Sequence, residues 1–338
     1  TKALFTQHTS TPLEYTIKSL ASGNGVYIGA AGDRIVRSID GVKWETVQMT
    51  NTLNSNNQLT RAVFGDNVFL VCGGSFYFVS NDNGDTWKMF GSASPMDATA
   101  YGDGEFVLTG YQYPDFIRLP IDTMQPSWVG NNTIYMQDIA FINNAFYGIY
   151  YKSASEQGLY KLNDDGVWNL ILGNLSLGSE NCLRAAGGRL FLGSSGHTYE
   201  FNLNADGEYA SLSQKTIMEG QMVDACQIID VFTLKDRACI LTGSMLYTLL
   251  DDETSSIDSF SSAGYLCCCP GEDGRVLLSQ GSSLRKYTQR ESVHHYQIHS
   301  VAYGNGVYIA AAGRYILRNA NSQGWTIVQT TPESTDNM

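Results

Sequence analysis

Two stretches at opposite ends of the 338-residue chain repeat one another without a gap. SLASGNGVYIGAAGDRIVRSIDGVKWETVQ runs from Ser19 to Gln48, and SVAYGNGVYIAAAGRYILRNANSQGWTIVQ runs from Ser300 to Gln329. About half of the positions are identical. An internal repeat outranks composition as a guide to fold, because one structural unit must then serve several times. Weaker copies fill the space between, beginning near Arg61 (RAVFGDNVFLVCGG), Asp97, Asp138, Leu183, Cys226 and Tyr265. With the two ends they make eight units spaced roughly 34–45 residues apart.

Tryptophan fixes the register of these units. The chain has five, Trp44, Trp87, Trp128, Trp168 and Trp325, and each opens the fourth apolar run of its unit. Tyr209, Phe260 and Tyr296 fill the same slot elsewhere. The runs are short, β-branched and aromatic, and Gly, Asn and Asp bound them, as the left-handed positions of hairpin turns require. Each unit therefore reads as four short strands, in the first unit near 18–22, 26–30, 34–38 and 44–48.

A four-stranded repeat of this length is the signature of a β-propeller blade. One blade cannot cover both faces of its own sheet, whereas neighbours packed around an axis do so. The expectation is an all-β chain: a single closed β-propeller of four-stranded antiparallel blades, eight in number, with seven as the alternative. Its units start near 16, 60, 96, 137, 181, 224, 263 and 298, within residues 16–330. Residues 1–15 read as an N-terminal arm, free to add an edge strand or to dock on a neighbouring subunit, and 331–338 as a C-terminal tail.

The turn before each tryptophan has its own grammar. SNDNGDTW, Ser80 to Trp87, places Asp82 to bond backbone N–H groups and Gly84 to take the left-handed position, while the ring packs between sheets. Asp40 and Gly41 do the same in SIDGVKW. Ser80, Asp82, Gly84, Thr86 and Trp87 match the S-x-D-x-G-x-T-W pattern of the Asp-box, or bacterial neuraminidase, repeat. Together with GNGVYIAAAG, the sequence resembles repeats of bacteriophage tail and other virion proteins, and also those of bacterial extracellular and assembly-factor propellers. The resemblance implies a propeller in which Asp boxes lie at the periphery and are not catalytic.

The formal charge of −12 and the absence of a basic stretch speak against nucleic-acid partners. No apolar run is long enough to span a bilayer, and the first residues lack a signal-peptide core, so neither membrane insertion nor a leader is expected. Seven cysteines without CxxC spacing sit in apolar runs and read as buried, reduced thiols.

One motif suggests catalysis. Phe116 to Pro120, FIRLP, resembles the Arg-Ile/Leu-Pro motif with which sialidases grip a substrate carboxylate, which would make Arg118 the gripping residue. Arg118 also occupies the third-run slot of Arg37 and Arg318, where it reads as part of the repeat. The acidic turns at Asp164, Asp251 and Glu272 lack the ligand spacing of a calcium loop. His294 and His295 would point to opposite faces of a strand, which disfavours a joint metal site. No catalytic residue, metal or cofactor is therefore assigned.

The expected function is a non-enzymatic virion component of a bacteriophage: a tail, fibre or decoration protein serving as a structural or receptor-binding platform. Its expected partners are other virion proteins and a host-surface glycan or protein, within a homo- or hetero-oligomeric assembly. The alternatives are a sialidase-like glycoside hydrolase and a bacterial glycan-binding or assembly-factor propeller.

Overall fold

The computed structural model describes residues 5–50, 58–92, 95–110, 116–129, 136–153, 156–175, 177–178, 181–194, 197–214, 228–234, 236–242, 245–249, 255–259, 265–271, 274–289, 300–312, 315–320 and 326–330. Among them the regular elements are all strands, arranged in eight four-stranded antiparallel sheets. We number the sheets by their first strands: Ser19–Gly23, Arg61–Gly65, Met96–Gly102, Asp138–Ile142, Asn181–Ala186, Ile228–Leu234, Tyr265–Pro270 and Ser300–Gly304. The chain divides into two compact units, Thr1–Gln289 with sheets 1 to 7 and Arg290–Met338 with sheet 8.

Tight hairpins join the first and second strands. Asn24–Gly25, Asp103–Gly104, Asn143–Asn144, Gly187–Gly188 and Asn305–Gly306 all have positive φ at both residues. That geometry matches the natural twist of the strands it connects, and Asn, Asp and Gly adopt it at least cost.

Within residues 1–289 the sheets lie face to face in chain order. The first strand of each touches that of the next, and the first strand of sheet 7 touches that of sheet 1. Second strands such as Val68–Gly73 and Glu105–Gly110 are buried at every position, because both of their faces are covered. Each seam has its own apolar cluster: Ile28, Ile35, Phe69 and Phe78 between sheets 1 and 2, and Leu20, Tyr27, Val36, Cys267 and Leu277 between sheets 1 and 7. Among the described residues six cysteines are free and buried, while Cys226 lies outside them. Burial pushes the thiols of Cys182 and Cys269 up to about 12.

The N-terminal strand, Phe5–Pro12, is the fourth strand of sheet 7 and runs antiparallel to Ser283–Gln289 with a register shift between Gln7 and Thr9. It covers the backbone edge that Ser283–Gln289 would otherwise leave open. Tyr296, the expected opener of that sheet's fourth run, lies outside the described residues, as do Phe260, His294, His295 and Trp325.

Candidate functional site

The turn at Ser80–Trp87 is closed by its own side chains. Asp82 Oδ1 accepts from the Ser80 hydroxyl at 2.7 Å and from Thr86 N at 3.0 Å, and Oδ2 accepts from the Thr86 hydroxyl at 2.5 Å. Gly84 N donates to Ser80 Oγ at 2.9 Å, and Trp87 Nε1 donates to Gly84 O at 3.1 Å. The Thr86 hydroxyl, with the backbone and Ser80 donors, holds the Asp82 carboxyl below its ordinary range. In the shorter copy Asp40 Oδ1 accepts from Val42 N at 2.7 Å and Lys43 N at 2.8 Å, and Ser38 Oγ accepts from Gly41 N at 2.8 Å. Burial raises the Asp40 carboxyl, but these donors and Lys286 together bring it below its ordinary value.

These turns grip the preceding sheet. Gly84, at φ 82°, comes so close to sheet 1 that a Cβ built there would lie 2.5 Å from Ile28 Cδ1. Arg37 of sheet 1 donates to Asn83 O at 2.9 Å and pairs with Asp85 at 3.2 Å. Lys161 of sheet 4 donates to Asp206 O at 2.9 Å and pairs with Glu208 at 2.5 Å in the sheet 5 turn. Lys286 of sheet 7 donates to Asp40 O, and a Cβ on Gly41 would lie 3.0 Å from Leu277. A third-strand cation held by the next sheet's turn is thus a recurring joint.

Arg118 stands in that same third-strand slot of sheet 3. Its Nε and Nη2 lie 3.0 and 2.6 Å from the Glu105 carboxylate on the adjacent strand, a two-pronged pairing within one sheet. The Glu105 contact raises the guanidinium above its ordinary value, with smaller contributions from Asp164 and Asp103.

The tryptophans divide. Trp168 is buried and meets Phe116 of sheet 3 edge-on at 5.9 Å, while Trp87 and Trp44 pack on the clusters shared with sheets 1 and 7 respectively. Trp128 departs from the expectation that each ring packs between sheets, since it is 44% exposed. Its turn is longer, and Met124 from that turn packs against the seam between sheets 2 and 3 instead. Tyr209, one of the substitute rings, is likewise exposed.

A second polar feature was not singled out in the sequence. Arg61, Asp138, Arg184 and Asp230 project from the first strands of sheets 2, 4, 5 and 6. Arg184 pairs with Asp138 and, at 3.0 Å, with Asp230; Arg61 reaches Asp138 at 3.5 Å and donates to Asp97 O of sheet 3 at 3.1 Å. Asp138 Oδ2 accepts from Leu183 N at 3.1 Å, and Asp230 Oδ2 from Cys268 N of sheet 7 at 3.2 Å. Ala62 N donates to Ser19 Oγ of sheet 1 at 3.0 Å, and Ser279 of sheet 7 donates to Ile17 O at 2.7 Å. Burial would lower the Arg184 guanidinium, but Asp138 and Asp230 raise it well above its ordinary value. Burial also raises the Asp97 carboxyl, against the pull of Arg61. The belt joins sheet to sheet, and its only signal in sequence is a charged residue inside an otherwise apolar first run.

Between sheets 7 and 1 lies a cavity of about 320 Å³, lined by Ser22, Tyr27, Asp40, Arg275 and Lys286 among others. Ser22 donates to Pro270 O across this seam. Two cations, the Asp40 carboxylate, a tyrosine and backbone edges give the cavity the chemistry of a small polar ligand. Among the described residues no group of His, Cys, Asp and Glu is arranged to hold a metal, and no helix is long and apolar enough to cross a membrane.

Neither a protein-family description nor a curated protein sequence matches the chain. Solved structures do. Streptogramin B lyase is 10% identical, with a TM-score of 0.66 over 86% of this chain and 100% of that one. YCF48 bound to D1 peptide is 13% identical, with a TM-score of 0.61 over 86% of this chain and 97% of that one. The extracellular domain of the putative one-component system BT4673 from B. thetaiotaomicron is 12% identical, with a TM-score of 0.61 over 97% of this chain. The match covers 48% of that protein, so the chain spans about half its length. These neighbours are β-propeller proteins of varied roles, and at such identities the likeness is one of fold.

Proposed function

We propose that sheets 1 to 7 close as a seven-bladed propeller and that this body serves as a non-enzymatic platform, the structural or receptor-binding part of a bacteriophage virion. The observation that carries the platform reading is the use made of the ionisable residues. Arg184 ties the first strands of sheets 4, 5 and 6 together through Asp138 and Asp230, Arg61 of sheet 2 reaches past sheet 3 to Asp138, and Arg118 is held by Glu105. Groups committed to such ties give stiffness, which suits a surface that binds without rearranging. Closure is supported by the contact between the first strands of sheets 7 and 1.

The virion assignment rests on the Asp-box and GNGVYIAAAG repeats and on the acidic charge of −12. A polar host-surface glycan is the ligand class that the mixed lining of Asp40, Arg275 and Lys286 supports in this cavity. Two measurements test the reading. Density-gradient fractionation of phage particles is expected to place the protein with intact virions, and recovery wholly in the soluble fraction would overturn the assignment. Incubation with sialosides and capsular polysaccharides is expected to release no sugar. Hydrolysis abolished by Arg118→Ala would instead establish the glycosidase alternative.

A further inference from the structure

Three seams within residues 1–289 are closed by one device made of a glycine floor, a ring and an aromatic wall. The first strands of sheets 1, 2 and 3 end in Gly23, Gly65 and Gly102, and sheets 2, 3 and 4 lay Phe64, Tyr101 and Phe141 over them. A Cβ built on those glycines would lie 2.1, 2.0 and 2.0 Å from the opposing ring. Each ring leans on the aromatic residue paired with it across its own hairpin: Phe64 on Phe69 at 4.6 Å, Tyr101 on Phe106 at 5.1 Å and Phe141 on Phe146 at 4.8 Å. At the next three seams the floor position carries Ile142, Ala186 or Leu234, and these side chains join the apolar cluster there.

The seam between sheets 7 and 1 has the floor and the wall without the ring. Gly271 is the floor: it follows Pro270, which pairs with Val276, and its N–H donates to Arg275 O at 2.7 Å, the place that Gly23 takes opposite Val26. Cys269, two residues earlier and so on the same face, packs with Leu20 and Tyr27 of sheet 1. Tyr27 is the wall, paired with residue 22 as Phe69 is with Phe64. Where the ring would stand, sheet 1 carries Ser22, whose hydroxyl donates to Pro270 O. The 320 Å³ cavity lies at this point, lined by Ser22, Tyr27 and Gly271 and rimmed by Asp40, Arg275 and Lys286. It is the space that a phenylalanine or tyrosine fills at three sister seams.

The rim decides which ring can enter. Asp40 Oδ1 accepts from Ser38, Val42 and Lys43, while Oδ2 accepts from none of the described residues. Arg275 and Lys286 bring donors, and the Ser22 hydroxyl can both donate and accept. A bare hydrocarbon ring would take water from these groups and return no hydrogen bond. A carboxylate would meet Asp40, and an ammonium would meet Arg275 and Lys286. A neutral ring bearing hydroxyls, each of them donor and acceptor, suits the floor, the wall and the rim together. We propose that this seam binds one neutral pyranose unit of a glycan, its ring over Gly271 and against Tyr27, its hydroxyls bonded by Asp40 and Arg275. The volume lies at the low end for ligand pockets, which run from about 300 to 1,000 Å³, and so suits a single sugar at the end of a chain. The proposal deepens the receptor-binding reading of this cavity and rests on it.

Ligand-observed NMR titration of the full chain tests it, with the methyl glycosides of glucose, galactose, mannose and N-acetylglucosamine as probes. A methyl sialoside and N-acetyltyrosinamide serve as the anionic and aromatic controls. At least one neutral glycoside is expected to saturate a single site in the millimolar range, and both controls to bind at least about tenfold more weakly. Ser22→Phe supplies the absent ring and is expected to weaken the glycoside at least about tenfold while the urea midpoint is kept. Gly271→Ala raises the floor by one methyl and is expected to do the same, and it carries the test should Ser22→Phe fail to fold. No binding by any of the four glycosides, a control that binds as tightly, or a folded variant that binds as the wild type does would each overturn the site. A protein that fractionates with virions yet binds no glycoside would lose the site and keep the platform role. A glycoside-binding protein recovered wholly in the soluble fraction would do the reverse.

Discussion

At the scale of single residues, the Asp-box turn converts sequence into a joint between sheets, and two positions in it carry separable costs. Gly84 combines a φ of 82° with an approach to Ile28 that leaves no room for a Cβ. A β-branched residue there faces both the left-handed penalty and a clash with sheet 1. Gly84→Val is expected to lower unfolding free energy by about 2–4 kcal/mol, read by urea denaturation. Gly104, with a similar φ but nothing within 4 Å, separates the two terms: Gly104→Val should show the backbone penalty alone. Asp82 makes its contribution through charge. The Thr86 hydroxyl, first among its donors, depresses the folded carboxyl, so the stabilisation is fully present above the unfolded value of about 3.9. It disappears as pH falls through the lower folded value. Urea midpoints of the wild type and Asp82→Asn should therefore differ at pH 7 and pH 5 and converge in strong acid. A gap that stays constant to the lowest pH would assign the effect to shape rather than ionisation.

At the scale of elements, strands and hairpins were legible because each rests on local chemistry: short β-branched runs bounded by Asn-Gly or Asp-Gly pairs. The pairing of Phe5–Pro12 with Ser283–Gln289 was not, since FTQHTSTP has little apolar alternation and its contribution is a row of backbone hydrogen bonds that any sequence supplies. The charged belt was half legible. Arg184 could be seen inside an apolar run, but its two aspartates lie in other sheets and only packing brings them together. Trp128 shows the opposite failure, a recurring slot whose ring is displaced by a longer turn carrying Met124. The N-terminal strand yields a sharp expectation. Removing residues 1–12 bares the edge of Ser283–Gln289, so the shortened chain should denature at lower urea and aggregate on concentration. A synthetic peptide of residues 1–15 added in trans should restore both. A shortened chain with an unchanged urea midpoint would show that the added strand contributes nothing to stability.

At the scale of the whole molecule, the question is what sets the size of the cooperative body. Eight copies of one unit suggest eight equivalent blades, and repeat counting alone does not say which of them share one body. The seam between sheets 7 and 1 bears on the answer. Ser22 of sheet 1 faces Pro270 of sheet 7, and their clusters already merge through Leu20, Val36, Leu277 and Leu284. Seven sheet-to-sheet seams, the belt and the strand that completes sheet 7 lie within residues 1–289. A chain ending at Gln289 is then expected to fold alone, to unfold in one transition and to keep the urea midpoint that the full chain shows for loss of its belt. The fluorescence change of Trp44, Trp87, Trp128 and Trp168 and the far-ultraviolet signal should coincide for this fragment. If it proves insoluble, or its transition broadens into separate steps, closure must draw on residues beyond 289 and the seven-sheet ring is not the folding unit.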